Sequence, residues 1–192
     1  PPVWKTTRGP LVRIEAAAAS GASRQRLRTV VTSARDLAVM LDDAVDYSAL
    51  TEGNTPALGS VFESTGGKIY KFVQYKVAAG SVAAVAGQVA YYYAPSGASA
   101  GSTTAVTSDL SDSAGLGAGV LQSAPANDEY CWIQIKGNAT LALSLTAGAD
   151  GNALTAVGST DGALDVSAAV TDAIVAYAVD ASAKIIKCDF PF

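Results

Sequence analysis

The octapeptide Tyr130-Cys131-Trp132-Ile133-Gln134-Ile135-Lys136-Gly137 sets the fold class. It alternates, is rich in β-branched and aromatic residues, and lies between a turn-rich approach at residues 124–128 and an exit at Gly137-Asn138, the pattern of a strand bounded by turns. A period of two puts Cys131, Ile133 and Ile135 on one side and Tyr130, Trp132, Gln134 and Lys136 on the other. One face is apolar and the other amphipathic. Tyr130 and Trp132 are therefore expected to lie against a second layer or a partner that also meets their polar tips.

The same pattern recurs on both sides of this strand. Residues 58–63 and 68–75 flank Ser64-Thr65-Gly66-Gly67 and read as a hairpin with a Gly-Gly turn. Residues 87–93, ending in Tyr91-Tyr92-Tyr93, read as a strand, as do residues 139–145, and residues 173–179 and 184–190 read as a closing pair. Asp150-Gly151 and Asp161-Gly162 are hairpin signals. Residues 94–119 are rich in Ser, Gly, Ala and Thr with few large apolar side chains, which predicts a long surface excursion. Short strands at this spacing predict a mostly β domain, a β-barrel or β-sandwich, over residues 52–192.

Residues 1–51 follow different rules. Pro1, Pro2, Gly9, Pro10 and an alanine run predict an extended arm over residues 1–25. Residues 26–32 read as a short strand, although Leu27, Val30, Val31, Ala34, Ala38 and Leu41 also fit a helical period. Ser33 and Asp36 have the spacing of a capping box, which predicts one short helix over residues 34–47. Charge divides in the same place. Residues 1–35 hold seven basic side chains against Glu15 alone, a net +6, while the remainder holds six lysines against sixteen carboxylates, a net −10. A basic arm precedes an acidic body.

Composition narrows the function classes. A chain of 192 residues with 49% apolar content has enough for one core plus an extension. No apolar run reaches the length of roughly 18 residues that a membrane span needs, and no charged-then-apolar leader opens the sequence, so the expectation is a soluble chain without a signal peptide. Histidine is absent, which removes the commonest general base and transition-metal ligand. The expectation is a non-enzyme without cofactor or metal. Cys131 and Cys188 fall in predicted strands without metal spacing and read as small buried hydrophobes, with a disulfide between them left open.

Three stretches in this order carry a family likeness: Leu58-Gly59-Ser60-Val61-Phe62 through Gly66-Gly67-Lys68 to Tyr70-Lys71-Phe72-Val73; Gly119-Val120-Leu121-Gln122 with the octapeptide above; and Gly158-Ser159-Thr160-Asp161-Gly162-Ala163-Leu164 with the late apolar strands. Over residues 58–190 the chain resembles capsid decoration (cement, head-stabilising) proteins of tailed bacteriophages. The resemblance implies a compact β domain bound to the outside of a virion capsid, made in the bacterial host cytoplasm. It further implies the major capsid protein as partner and a homo-oligomer, with a trimer among the options. The arm and helix fall outside the resemblance. A cement protein needs a rigid body and extensions rather than catalytic groups, and many identical sites on one shell multiply modest affinities. The +6 arm suits an acidic shell surface, which makes Trp4, Lys5, Arg8, Arg13, Arg24, Arg26 and Arg28 the candidate capsid contacts.

Several sharper readings compete with plainer ones. The arm arginines suit phosphates, but Trp4 is its one aromatic and the body is acidic, so nucleic acid is not the expected partner. Tyr91, Tyr93, Tyr130 and Trp132 form a candidate oligomer or core aromatic cluster; with Tyr92 they also suit a glycan, giving the alternative of a head-fibre base or glycan-binding adhesion module. Asp150, Asn152, Asp161 and Asp165 are oxygen ligands by type but lack a calcium-loop spacing. Gly115-Leu116-Gly117-Ala118-Gly119 misses the dinucleotide fingerprint and reads as a flexible loop. Asp128-Glu129, read as strand neighbours on opposite faces, cannot flank one bond as a glycosidase pair does.

Overall fold

The computed structural model describes residues 56–191 except 65, 78–81, 96–100, 146–147 and 157. The arm, the short helix over residues 34–47 and the seven candidate capsid-contact residues lie outside the described residues. Ten strands follow in chain order: β1 Val61–Glu63, β2 Ile69–Tyr75, β3 Val89–Tyr93, β4 Ala105–Thr107, β5 Ser113–Leu121, β6 Tyr130–Thr140, β7 Ala153–Thr155, β8 Asp165–Val166, β9 Ile174–Asp180 and β10 Ile185–Asp189.

The antiparallel pair β2–β6 is the hub. Gln134 of β6 pairs with Tyr70 of β2 and also with Val120 of β5, and Lys136 pairs with Ile69 of β2 and Asp189 of β10. A strand has only two edges, so β5 and β10 follow one another along the edge of β6 that faces away from β2. The far edge of β2 is shared in the same way. Ile69, Tyr70 and Lys71 pair with β1, and Gln74 and Tyr75 pair in parallel with β4. At one end of the hub, β4, β3 and β5 close the ring β2-β4-β3-β5-β6 into a five-stranded barrel. At the other end the hub continues into an open sheet, β1-β2-β6-β10-β9-β7-β8. The expected mostly β barrel is thus the fold, with its outer strands extending from the same two hub strands.

β6 serves both halves because it bends. The sequence suggested a strand ending at Gly137 and a second over residues 139–145, but Tyr130–Thr140 is continuous. Gly137 has φ +87, and a Cβ there would stand 3.1–3.2 Å from Lys68, so glycine is required by both backbone and space. Gln134 fastens the bend: its amide donates to the carbonyls of Lys136 and Asn138, each at 3.0 Å. A ladder irregularity between Ile69 and Tyr70 falls at the same level.

The main core runs through both halves, from Val73, Tyr75, Val106 and Ile133 in the barrel to Ala176, Ile186 and Phe190 beyond it. Each large side chain fully buried there contributes about 1.5–3 kcal/mol. Residues 94–119 are not a surface excursion. The described residues among them supply β4 and most of β5, two of the five barrel strands, with Val106, Thr107, Ser108 and Ala118 buried. Their side chains are small because the neighbours are close: a Cβ on Gly117 would meet Phe190 at 2.9 Å, and one on Gly119 would meet the Gln134 carbonyl at 2.8 Å. Gly115 to Gly119 is accordingly a strand segment, not a flexible loop.

Candidate functional site

The hub carries a hydrophobic layer on each face. Inward lie Val73, Tyr75, Cys131, Ile133 and Ile135. Outward lie Tyr70, Phe72 and Trp132, with Phe62 and Tyr130 half-buried at their margins. Phe72 sits 5.1 Å from Trp132 and 5.9 Å from Tyr130 between ring centroids, and Phe62 bridges to Tyr70 at 6.5 Å and to Trp132 at 6.4 Å. These are distances at which edge and offset ring contacts are favourable. The register explains the grouping, since Phe72 faces Trp132 across the ladder and Phe62 faces Tyr70. Burial raises the Tyr70 phenol above its ordinary value. The Trp132 Nε1–H is buried and has no hydrogen-bond partner among the described residues.

The four aromatics singled out from the sequence divide between these layers. Trp132 and Tyr130 belong to the outer one, Tyr91 lies in the main core, and Tyr93 is half-buried at the end of β3. Tyr91 donates to the Ala163 carbonyl at 2.5 Å, and burial holds its phenol well above its ordinary value. Tyr92 accepts from the buried Lys71 ammonium at 2.9 Å and donates to the Pro191 carbonyl at 3.4 Å. That ammonium is 5.0 Å from the Tyr92 ring centroid, so it sits towards the oxygen end of the ring and the hydrogen bond is the stronger contact. With Tyr91 and Tyr92 occupied in this way, a glycan surface drawn from the tyrosines retains only half-buried members.

The acidic candidates are engaged in local structure. Asp150 accepts from the Ala181 amide, Asn152 from Ala149, Asp161 from Leu110 and Asp165 from Val166. No group of three or more acidic or cysteine side chains is placed to hold a metal among the described residues. Asp161-Gly162 is a turn inside the longer connection from β7 to β8 rather than a tight hairpin. That connection packs onto β3 through the Gly162 carbonyl to Val89 and Ala163 to Tyr91, and onto the β4–β5 connection through Asp161 to Leu110. Asp128 and Glu129 precede β6 rather than lying in it; Asp128 pairs with Lys76 and Glu129 accepts from the Ala126 amide. Cys131 and Cys188 are both free and buried, and burial pushes each thiol up to about 12. Cys188 pairs opposite Gly137, so it lies roughly 20 Å along β6 from Cys131, beyond the limit of about 7 Å between Cα atoms for a disulfide. The question left open by the sequence is thereby answered.

The surface that sequence reading did not single out is β9. Its pairing with β7 and β10 leaves Ile174, Tyr177 and Val179 outward and 45–48% exposed, and Val170 just before it is fully exposed. The loops at both ends are fixed by a carboxylate. Asp172 accepts from the Ala168 and Ala169 amides, each at 2.9 Å, which shapes the turn presenting Val170. Asp180 accepts from the Ala183 amide at 2.8 Å and the Ser182 hydroxyl at 2.7 Å in the β9–β10 turn. Those backbone hydrogen bonds hold both carboxyls below the usual range. The result is an apolar row on a paired strand, held between two ordered turns. No helix among the described residues is long and apolar enough to cross a membrane.

No protein-family model matches this chain, and no curated protein or solved structure matches it either.

Proposed function

We propose that this chain is a structural virion protein that binds the outside of a phage capsid and stabilises it. The observation that carries the reading is the outward row Val170, Ile174, Tyr177 and Val179 on β9. Single exposed apolar residues need no explanation, but several along one strand and the turn before it favour a protein–protein contact. The support is the open sheet, in which β9 is paired on both edges, with β10 and with β7. In this reading the partner is the major capsid protein and the location is the virion surface after synthesis in the host cytoplasm, as the sequence resemblance of residues 58–190 to capsid decoration proteins implies. In this account β9 meets the shell or a second copy of the decoration protein. Trp4, Lys5, Arg8, Arg13, Arg24, Arg26 and Arg28 add a basic contact whose strength falls with salt.

The test is binding of the purified chain to capsids that lack it, followed by sedimentation and then heat challenge of the particles. The expected result is saturation at a fixed ratio to the major shell subunit, with particles that withstand higher temperature. Absence of saturable binding, or binding without added heat resistance, overturns the proposal.

A further inference from the structure

β9 is one strand of a wider outward face. In the open sheet Ala176, Ala178, Ile186 and Cys188 turn into the core, so alternation turns Tyr177, Val179 and Lys187 to the opposite side. Asn138 of β6, Lys187 of β10, Tyr177 of β9 and Ala153 of β7 are direct register partners across four strands, and directly opposed residues share a face. Asn138, Lys187 and Tyr177 are exposed and Ala153 is half-buried. A cation therefore stands beside the middle member of the apolar row Ile174, Tyr177 and Val179.

The charges around that row are unevenly satisfied. Lys136 is held by Asp189 at 2.9 Å and Lys184 donates to the Ala142 carbonyl. Lys187 has no hydrogen-bond or ion-pair partner among the described residues. The carboxylates on or beside the face are engaged as well: Asp189 by Lys136, Asp180 by the Ser182 hydroxyl and Ala183 amide, and Asp172 by the Ala168 and Ala169 amides. A lysine enclosed at a contact has to meet a carboxylate, because its ammonium otherwise loses water and gains nothing. A second copy docking through its own equivalent face brings another Lys187 and no unengaged carboxylate, so like charges oppose that contact. Area points the same way. Four strands about 4.8 Å apart and about 20 Å long present roughly 400 Å², against about 800 Å² per partner in a stable pair. Such a patch is too small to hold two free copies together by itself, yet it suffices where many copies engage one shell.

Taking β9 as the capsid-binding surface, we infer that its occupant is a shell surface presenting apolar side chains around a carboxylate, and that this carboxylate pairs with Lys187. Tyr177 and Val179 supply the apolar contact, and Lys187 selects among apolar surfaces. A basic surface is repelled by the ammonium, and a purely apolar one leaves it unpaired.

The test titrates capsids that lack the protein with full-length parent, Lys187→Arg, Lys187→Met and Lys187→Glu chains, reading Kd by sedimentation, with melting temperatures measured in parallel. Lys187→Glu is expected to raise Kd at least about tenfold, Lys187→Met to fall between it and the parent, and Lys187→Arg to stay near the parent, all without a change in melting temperature because the side chain is exposed. Methionine matches lysine in length, so this order follows charge rather than shape. Parent binding with a Kd that Lys187→Glu leaves unchanged overturns the inference and leaves the capsid reading standing, as does a Lys187→Met chain that binds more tightly than the parent. Absence of binding by the parent removes the capsid reading and the inference with it. A free parent chain that sediments as an oligomer and comes apart on Tyr177→Ser also overturns the inference, by assigning the face to a second copy.

Discussion

The two ends of the β2–β6 hub use the same strands for opposite purposes. At the barrel end, β4, β3 and β5 complete the ring, and Val73, Tyr75, Ile133 and Val106 fill it. Closure leaves no free sheet edge there. At the open end, β10, β9, β7 and β8 continue outwards and β9 presents Ile174, Tyr177 and Val179 to solvent. One end spends its apolar residues on stability, and the other keeps a row of them available for contact. Gly137 and Gln134 lie where one regime passes into the other.

The sharpest way to break this comparison is to hollow out the barrel end. Ile133→Ala removes a fully buried side chain and is expected to cost about 2–5 kcal/mol in denaturant unfolding; a loss no larger than that of a surface variant would dissolve the distinction. Next comes the junction. Gly137→Ala forces a Cβ into a φ of +87 against Lys68 and is expected to cost about 1–3 kcal/mol. Gln134→Ala, which releases the Lys136 and Asn138 carbonyls, should cost about 1–3 kcal/mol by the same measurement. At the open end, Tyr177→Ser with Val179→Ser should change stability by only about 0.5 kcal/mol per site.

Two pH dependences sharpen the comparison further. The thiols of Cys131 and Cys188 rise from the ordinary value of 9.0 to about 12 in the fold. Folding therefore favours the neutral thiols, a contribution complete below 9.0 and lost as pH climbs towards 12. Alkaline unfolding of a Cys131→Ala, Cys188→Ala chain should show a flatter pH limb than the parent, with Tyr91 retaining part of the slope. The open end responds to acid instead. Asp172 and Asp180 lie below the ordinary carboxylate value of 3.8 in the fold, so their ties to the turns are complete above that value and are lost as pH falls through the lowered one. The protection of the Ala168, Ala169 and Ala183 amides, taken relative to the intrinsic exchange rate at each pH, should fall there while the barrel amides stay protected.

Much of the strand content, in the hub and in the open sheet, was legible in the sequence. A Gly-Gly turn between two strand-like runs identified β1 and β2, strand-like runs identified β3, β9 and β10, and the octapeptide announced β6. What escaped was set by neighbours distant in sequence. β5 holds Gly117 and Gly119 because Phe190 and Ile133 crowd it, so it lacks the large side chains by which a strand is recognised. The parallel β2–β4 pairing joins Gln74 and Tyr75 to Ala105 and Val106, a closure that no local pattern encodes. The candidate surface was hidden for the opposite reason. Ile174, Tyr177 and Val179 have the composition of core residues, and only their pairing reveals that they face outwards. For Tyr91 and Tyr92 the sequence left core, oligomer contact and glycan surface open, and their hydroxyls meet Ala163 and Lys71 inside.

The most direct test of the division between a stabilising end and a binding end is capsid occupancy by the Tyr177→Ser, Val179→Ser chain, read by sedimentation against the parent at equal concentration and with melting temperatures measured in parallel. A Kd for the shell that rises at least about tenfold, corresponding to a loss of about 1.4 kcal/mol per site, with lower occupancy at equal concentration and an unchanged melting temperature, is the predicted result. Full occupancy by the variant, or lost occupancy only in step with a lowered melting temperature, would contradict the account.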